Sequence, residues 1–228
     1  MIGTWPCTLP GGTVSEELVL RFGESSGPKI LIIPPLFSEH NLMRRQLVQL
    51  MRKLADAGIG SVLPDLPGWN ESLQPLETQT LAFWREAMAQ AARANGATHV
   101  LAVRSGAVLT PPALQGWSYA PQSGAKLLRG MVRARTIASR ETGQPETSED
   151  IYQLGRTQGA MLAGWRIGAA MFSELELTEP PKHDALVEIK QGQVGGPALW
   201  LRAEAAEDAE QVASLASIIG SDLAEPAA

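Results

Sequence analysis

The stretch Lys29-Ile30-Leu31-Ile32-Ile33-Pro34-Pro35 decides the fold of this chain. Its branched aliphatic residues follow one another without a polar interruption, and two prolines then end the run. A continuous apolar run is typical of a strand that is buried on both faces of a parallel sheet. Proline cannot donate the hydrogen bond that a central strand needs. The stretch therefore predicts an α/β protein whose mostly parallel sheet is covered by helices.

Short apolar runs alternate with longer amphipathic stretches in both directions from this strand. Residues 41–57 predict a helix, because leucine and methionine recur at helical spacing and Gly58 follows as a stop. Residues 123–182 are mainly helical in pattern and too long for a simple crossover, so they predict a cap. Further strands are predicted at residues 17–22, 60–66, 99–103, 113–120, 185–190 and 198–202, and further helices at residues 78–95 and 207–223.

This order of elements predicts a doubly wound α/β fold of the α/β-hydrolase type, with a mostly parallel sheet and a helical cap insertion. The chain has 228 residues, of which 44% are hydrophobic, and this is enough to bury one large core. We expect a single domain over residues 1–228. Its core spans about residues 14–122 and 183–223, and the cap spans about residues 123–182.

Charge and cysteine content restrict the partners and the compartment. The net charge of −5 argues against nucleic acid, whose binding proteins usually carry a basic surface. Cys7 is the only cysteine, so no intramolecular disulfide can form, and we expect a reducing, cytoplasmic location. The N-terminus lacks a basic segment followed by an apolar core, and no apolar run approaches the roughly 18–20 residues of a membrane span. We expect no cofactor and no metal.

The turn after residues 99–103 is where an α/β hydrolase holds its nucleophile, in a sharp turn flanked by small residues. Two registers are open. With Ala102 and Gly106 as the small positions, the nucleophile position holds Arg104, which cannot act as an acyl-transfer nucleophile because it stays protonated. With Val103 as a flanking residue the position holds Ser105. The steric rule favours the first register, because a β-branched residue is bulky at a crowded site.

The other members of a Ser-His-Asp triad are not found where this fold places them. The acid normally follows the penultimate strand and the histidine follows the last. Residues 191–193 contain no carboxylate, and residues 203–206 contain no histidine. His99 and His183 precede predicted strands, which leaves His40 as the histidine in a loop on the ligand-binding edge. A Ser105–His40 pair stays open as an alternative, with an oxyanion hole from backbone N–H groups near Leu36, Phe37 and Gly106.

Three further features bear on ligand binding. A buried Arg104 needs an anionic partner, which is Glu39, Asp65 or a ligand, so both an ion pair and an anion site are open. Trp69 and Trp117, the latter at the corner that ends the predicted strand 113–120, are expected in loops on the ligand-binding side, where they could line a pocket or pack in the core. A basic stripe on one helix face could hold an anion or face solvent. The stripe consists of Lys126, Arg129, Arg133 and Arg140.

Several segments resemble the second type of exosortase-A-system-associated hydrolases. Residues 34–41, followed by Arg44 and Arg45, are similar to the Pro-Pro-Phe-x-Glu-Glu-x-Asn segment of that family. Residues 63–72 are similar to its Asp-Leu-x-Gly-x-Gly-Asp-Ser segment, and residues 197–208 to its Pro-x-Leu-Trp-Leu-Arg-Ala-Glu-x-x-Glu-Asp ending. The similarity also includes residues 103–107, matching Leu-Arg-Leu-Gly-Ala, and parts of the cap at residues 117–135 and 163–165.

The resemblance extends over about residues 28–208 and implies membership of the α/β-hydrolase superfamily. It also implies a bacterial protein encoded beside exopolysaccharide and protein-sorting genes. In this resemblance Arg104 again falls at the nucleophile position. The chain departs from the family at His40, where the family has glutamate, and at residues 69–71, and both departures put a shared activity in doubt.

Three functional hypotheses follow. The first is a degenerate hydrolase that binds a small acyl or carbohydrate-related ligand, or a protein partner or second copy, without a complete triad. The second is a carboxyl-ester or thioester hydrolase that uses Ser105 as nucleophile and His40 as base. The third, which depends only on the family resemblance, is a scaffold subunit of an exopolysaccharide or protein-sorting system.

Overall fold

A computed structural model describes residues 1–23 and 27–224 of the chain. The strands are β1 (Ile2–Thr8), β2 (Val14–Phe22), β3 (Lys29–Ile33), β4 (Gly60–Pro64), β5 (His99–Val103), β6 (Gln115–Tyr119), β7 (Ala160–Leu162), β8 (Trp165–Ile167) and β9 (Leu186–Ile189). The α-helices are α1 (Ser38–Asp56), α2 (Leu81–Asn95), α3 (Gly124–Glu141), α4 (Ser148–Gln158), α5 (Ala169–Leu177), α6 (Gln191–Val194) and α7 (Ala209–Ala224).

The described strands form one seven-stranded sheet in the order β1-β2-β4-β3-β5-β6-β9, and β7 and β8 form a separate hairpin. Strands β4, β3, β5, β6 and β9 run parallel, whereas β2 pairs antiparallel with both β1 and β4. The predicted fold class, a mostly parallel sheet with flanking helices, is therefore confirmed. The parallel strands place their carboxyl ends at one edge of the sheet, where ligands bind in folds of this kind.

The central strand β3 is covered on both faces, as its continuous apolar run predicted. Ile30 and Ile32 face a cluster that includes leucines and methionines of α1 and residues of α7. Leu31 and Ile33 face the opposite cluster, to which α2, α3, α4 and α5 contribute. Each layer therefore buries the alternate side chains of the same strand, which is what a doubly wound sheet requires.

Strand β1 was not predicted, because its sequence mixes apolar residues with Gly3, Thr4 and Pro6. Only alternate residues of it reach the core: Trp5 and Cys7 are fully buried, and their neighbours are exposed or half-buried. The strand lies at the edge of the sheet and pairs with β2 alone. A proline is tolerated there, because an edge strand leaves one row of its N–H groups unpaired.

The strand predicted at residues 198–202 is wrong, because these residues contain a short 3₁₀ turn, Leu199–Leu201. The outer edge of β9 is occupied before this segment is reached. The Leu186 N–H donates to His183 O, and the Lys190 N–H donates to Gln193 Oε1 of α6. These bonds use backbone donors at both ends of β9 on its outer side, and they help to protect this edge strand of the sheet.

The segment between β6 and β9 contains α3, α4, the β7–β8 hairpin and α5, and we refer to it as the insertion. The hairpin was not predicted within this mainly helical stretch. Its turn uses Ala163 and Gly164, both with positive φ (49° and 86°). Two consecutive positive φ values match the twist of a two-residue hairpin turn. No helix in the described ranges is long and apolar enough to cross a membrane.

Candidate functional site

The turn after β5 contains Arg104 and Ser105, the two residues that the sequence left open for the nucleophile position. Arg104 has φ 54°, which is uncommon for a residue with a side chain and is the strained conformation expected at this turn. Two residues later, a Cβ atom added to Gly106 would lie 2.2 Å from Pro34 O. The small-residue rule thus acts at Gly106, because the turn passes directly against the loop after β3.

Arg104 is buried, and its guanidinium group is surrounded by partners. Its Nε lies 3.1 Å from Glu39 Oε2 and its Nη2 lies 3.2 Å from Glu39 Oε1, which makes a two-point ion pair. Its Nη1 donates to Ala120 O at 3.0 Å, and its Nη2 also donates to Gln122 Oε1. The guanidinium carbon lies 4.3 Å from the centroid of the Trp200 ring. We call Arg104, Glu39, Gln122 and Trp200 the Arg104 cluster.

Ser105 points into the protein core and is fully buried. Its Oγ accepts a hydrogen bond of 2.9 Å from the Leu36 N–H, on the loop after β3. That N–H is one of the backbone donors that sequence reasoning placed in an oxyanion hole. In this structure it is satisfied by Ser105 itself. Within residues 1–23 and 27–224, no hydrogen bond joins Ser105 to a histidine.

His40 lies in a different group of polar side chains, on the first turn of α1. Its Nε2 lies 3.0 Å from Arg44 Nη1 and 3.3 Å from Asn70 Nδ2. Because arginine only donates, Nε2 of the neutral ring acts as acceptor and the ring proton is on Nδ1. Asp65 accepts from Asn70 at 2.8 Å and from Arg44 at 3.4 Å. His40 Nδ1 and Asp65 Oδ2 are buried without a partner among the described residues.

Burial shifts the pKa values of both His40 and Asp65. Burial and, to a smaller extent, the nearby positive charge of Arg44 together lower the pKa of His40 to about 4. Burial also raises the pKa of Asp65, against the opposing effects of the Asn70 hydrogen bond and of Arg44. A general base works best when its pKa is near the operating pH. His40 is therefore poorly matched to proton abstraction at neutral pH.

An aromatic group joins the insertion to the sheet. Phe37, on the loop after β3, stacks on Trp69 with ring centroids 5.5 Å apart. The ring centroid of Trp165, in β8, lies 5.8 Å from the centroids of both rings, and Trp84 of α2 packs against the same pair. Such contacts add to the free energy of apolar burial. The group thus holds the β7–β8 hairpin against the carboxyl edge of the sheet.

A small cleft of about 230 Å³ lies between the loop after β3 and α3, and we call it the Phe37 cleft. Phe37, Leu127 and Met131 form apolar walls, and Glu39 and Gln122 of the Arg104 cluster form its polar part. The hairpin residue Ala163 also lines it. The cleft adjoins the Arg104 cluster, because Glu39 and Gln122 line it and also bond to Arg104.

The structure brings most of the predicted site residues to this edge but divides them between separate groups. Glu39 lies with Arg104, Leu36 with Ser105, Asp65 with His40, and Phe37 with the tryptophans. Trp117 does not join them, because it lies inside β6, stacks on His99 and donates to Asp222 of α7. Of the basic stripe, Arg129, Arg133 and Arg140 are exposed and Lys126 lines a pocket described below.

Gln122 and Trp200 were missed as partners of Arg104. Gln122 follows the end of β6 by a few residues, so a polar side chain at that point in the sequence is a signal that could have found it. Trp200 carried no such signal, because it was placed in the strand that does not form. No group of three or more histidine, cysteine or acidic side chains in the described part of the chain is arranged to hold a metal ion.

Comparison with solved structures identifies the fold. No protein-family model and no curated protein sequence matches the chain. A candidate hydrolase from Agrobacterium vitis superposes with a TM-score of 0.52, covering 99% of this chain and 100% of its own, at 13% identity. DcsB, solved in complex with a substrate analogue, gives a TM-score of 0.57 over 99% and 100% of the two chains, at 11% identity. Likeness at such low identity supports an α/β-hydrolase-like fold and no particular activity.

Proposed function

We propose that this protein is a non-hydrolytic member of the α/β-hydrolase fold that binds a small, uncharged acyl compound in the Phe37 cleft. The observation that carries the proposal is the place of Arg104. An arginine holds the strained nucleophile position, and Glu39, Gln122, Trp200 and a backbone carbonyl occupy its guanidinium. Arginine stays protonated and has no lone pair with which to attack a carbonyl carbon.

The neighbouring groups support the same conclusion. Ser105 Oγ accepts from the Leu36 N–H, so nucleophile and oxyanion donor of the hydrolase alternative are bonded to each other. His40 Nε2, the lone pair that a base would use, faces Arg44 and Asn70. For hydrolysis by Ser105, all of these bonds would have to break. Each lost bond would leave a buried polar group at a cost of about 1–3 kcal/mol.

The chemistry of the cleft favours a neutral ligand. Glu39 is neutralised by Arg104, and Phe37, Leu127 and Met131 offer apolar contact. A volume of about 230 Å³ is below the roughly 300–1,000 Å³ of pockets for drug-sized ligands, and it suits a short acyl chain. By position and lining, we also propose that the insertion acts as a cap over this cleft.

The test combines turnover with binding. We expect p-nitrophenyl butyrate to be hydrolysed at the same rate by the wild-type protein and by Ser105→Ala, and methyl butyrate to bind without being consumed. Ala134→Trp, on the cleft wall, should abolish binding of methyl butyrate measured by titration calorimetry. Ile137→Trp, an exposed position on the same helix, should leave it unchanged. Turnover that disappears in Ser105→Ala would instead establish the ester or thioester hydrolase.

The family resemblance supports a narrower proposal, that the protein belongs with exopolysaccharide or protein-sorting systems. Three of the resembling segments, residues 34–45, 63–72 and 197–208, meet in space. Arg45, from the first, pairs with Glu207 of the last at 2.7 Å, and Asn70 of the second lies beside His40 of the first. These contacts join the segments at the carboxyl ends of the strands, although His40 and Asn70 are themselves positions at which the chain departs from the family. Co-purification of a stoichiometric protein partner would favour a scaffold role, whereas a chain that purifies alone and binds methyl butyrate would favour ligand binding.

A further inference from the structure

A hollow of about 580 Å³ lies away from the aromatic group, where β6 and β9 meet the start of α3. We call it the α3 pocket. Its floor is formed by Ser118 of β6 and by Leu186 and Glu188 of β9, which face the same side of the sheet. The wall opposite α3 is the connection from α5 to β9, stiffened by Pro180 and Pro181.

Unpaired donors converge on this pocket. Ser118 is only 6% exposed, and its Oγ is buried without a hydrogen-bond partner among the described residues. Buried hydroxyl groups are normally satisfied, so an orphan on the floor of a pocket indicates a missing partner. His183 Nε2, on the opposite wall, is also without one in the described part of the chain. Gln122 is held by Arg104 through Oε1, which leaves its amide N–H groups for the pockets that it lines.

The start of α3 adds a positive field at the same place. Ser123 caps the helix, and its Oγ accepts from the Lys126 N–H. The Gly124 N–H is taken by Thr178 O, whereas the Ala125 N–H makes no hydrogen bond within the described residues. The N-terminus of an 18-residue helix favours an anion, and the side chain of Lys126 lines the pocket beside it.

The rim also carries acidic groups, and these decide the class of ligand. Glu179, Asp184 and Glu188 line the pocket together with Lys126 and Lys182. A simple anion would be repelled by these carboxylates. A ligand with both an anionic group and hydrogen-bond donors would instead pair with the lysines and with the carboxylates. We propose that the α3 pocket binds a small carboxylate that also carries hydroxyl or ammonium groups. Its carboxylate contacts Lys126 and Ser118, and its donors contact the rim acids.

Three carboxylates of equal chain length test this proposal: gluconate with hydroxyl donors, 6-aminohexanoate with an ammonium donor, and hexanoate with neither. Binding is followed by titration, using the NMR shifts of the Ser118 and Ala125 amides to locate it. Gluconate or 6-aminohexanoate should shift these amides saturably, and hexanoate should bind at least tenfold more weakly there. Which of the two binds more tightly distinguishes a hydroxy acid from an amino acid.

Ser118→Ala and Lys126→Gln should each weaken this binding about tenfold. Arg129→Gln, which removes the next exposed charge of the same helix face outside the pocket, should have no effect. The proposal is overturned if none of the three compounds shifts the two amides. It is also overturned if hexanoate binds as tightly as the others, or if both pocket variants bind like the wild type. Because Ala134→Trp alters only the Phe37 cleft, it should leave this binding intact.

Discussion

Arg104, directly after β5, and Glu39, on α1, form a two-point ion pair with N–O distances of 3.1 and 3.2 Å. Both side chains are largely buried, with 9% and 17% of their surface exposed. A buried pair is costly to form but more costly to break, since either partner alone is an uncompensated charge. The pair therefore stabilises this particular arrangement of the loop after β3 against the turn after β5.

Removing the arginine should destabilise the protein strongly. We expect Arg104→Met to lower the free energy of unfolding by about 3 kcal/mol, because it leaves the Glu39 carboxylate buried without a cation. The double variant Arg104→Met with Glu39→Gln should recover part of that loss in urea unfolding. Arg156→Gln is the matched control, because its pair with Glu176 is more exposed and should contribute less than about 1 kcal/mol. Strictly additive losses in the double variant would contradict a coupled pair.

Gly106 should not tolerate a side chain. A methyl group there would meet the carbonyl oxygen of Pro34, which is backbone and cannot move aside cheaply. We expect Gly106→Ala to cost about 3 kcal/mol or more in thermal or urea unfolding. Gly220→Ala, in α7 with no atom within 4 Å of the added carbon, should be neutral or stabilise by up to about 1 kcal/mol. Equal effects at the two glycines would argue against the close approach of the two loops.

Stability should fall in mild acid because of His40. Its pKa is about 4 in the folded protein, against 6.5 for the free side chain. Between these values the unfolded chain binds a proton that the folded chain does not, so the free energy of unfolding decreases as pH falls through this window. From pH 8 to pH 5 the loss is about 2 kcal/mol.

The variant His40→Gln isolates this effect. The raised pKa of Asp65 acts in the opposite direction, since its protonated form is favoured in the folded state, but Asp65 is present in both proteins. The difference between wild type and His40→Gln, measured by urea unfolding from pH 8 to 4.5, should therefore follow His40 alone. A pH-independent difference would show that His40 titrates normally.

Trp165 should control the attachment of the insertion. Its ring packs on Phe37 and Trp69, and it comes from the β7–β8 hairpin. We expect Trp165→Ala to accelerate amide exchange in α3, α4 and α5 at least about tenfold, with β3 and β5 unaffected, because the insertion would open without global unfolding. Met161→Ala, in the same hairpin but exposed, is the control. Uniform acceleration across the chain would mean that the insertion and the sheet unfold as one unit.

The sequence predicted the sheet where its patterns were strong and local. Strand β3 was predicted from its continuous apolar run, and the steric rule at the turn after β5 favoured Arg104 because Val103 would be bulky as a flanking residue. Strand β1 was not predicted, because only Trp5 and Cys7 face inward and a proline interrupts the apolar pattern. Residues 198–202 have the pattern of a strand, but whether they pair depends on the outer side of β9, where the donors at both ends are already bonded to other groups.

The sequence predicted which residues lie in the candidate site better than it predicted which of them bond to each other. Glu39 and Asp65 were both possible partners for Arg104. Which of the two pairs with it depends on three-dimensional geometry that residue types do not encode. The hydrogen bond from the Leu36 N–H to the Ser105 hydroxyl could not be predicted either. It joins two loops that are distant in sequence, and such pairings depend on the tertiary fold.

The hydrogen bond of Ser105 should contribute to the stability of the fold. Ser105→Ala removes the acceptor of the Leu36 N–H and leaves that donor buried, so we expect a loss of about 1–3 kcal/mol in the free energy of unfolding. Ser118→Ala removes a hydroxyl that bonds to no described residue and should be close to neutral in the same assay. A Ser105→Ala variant as stable as the wild type would contradict the assigned hydrogen bond.

The most direct measurement of the central claim is covalent labelling by a fluorophosphonate, which reacts with serines activated by a neighbouring base. The protein is incubated with the probe, and its intact mass is compared with that of Ser105→Ala. Because Ser105 is bonded to Leu36 and His40 faces Arg44, we predict no mass increase in either protein. A stoichiometric adduct that maps to Ser105 and is absent from Ser105→Ala would contradict the account.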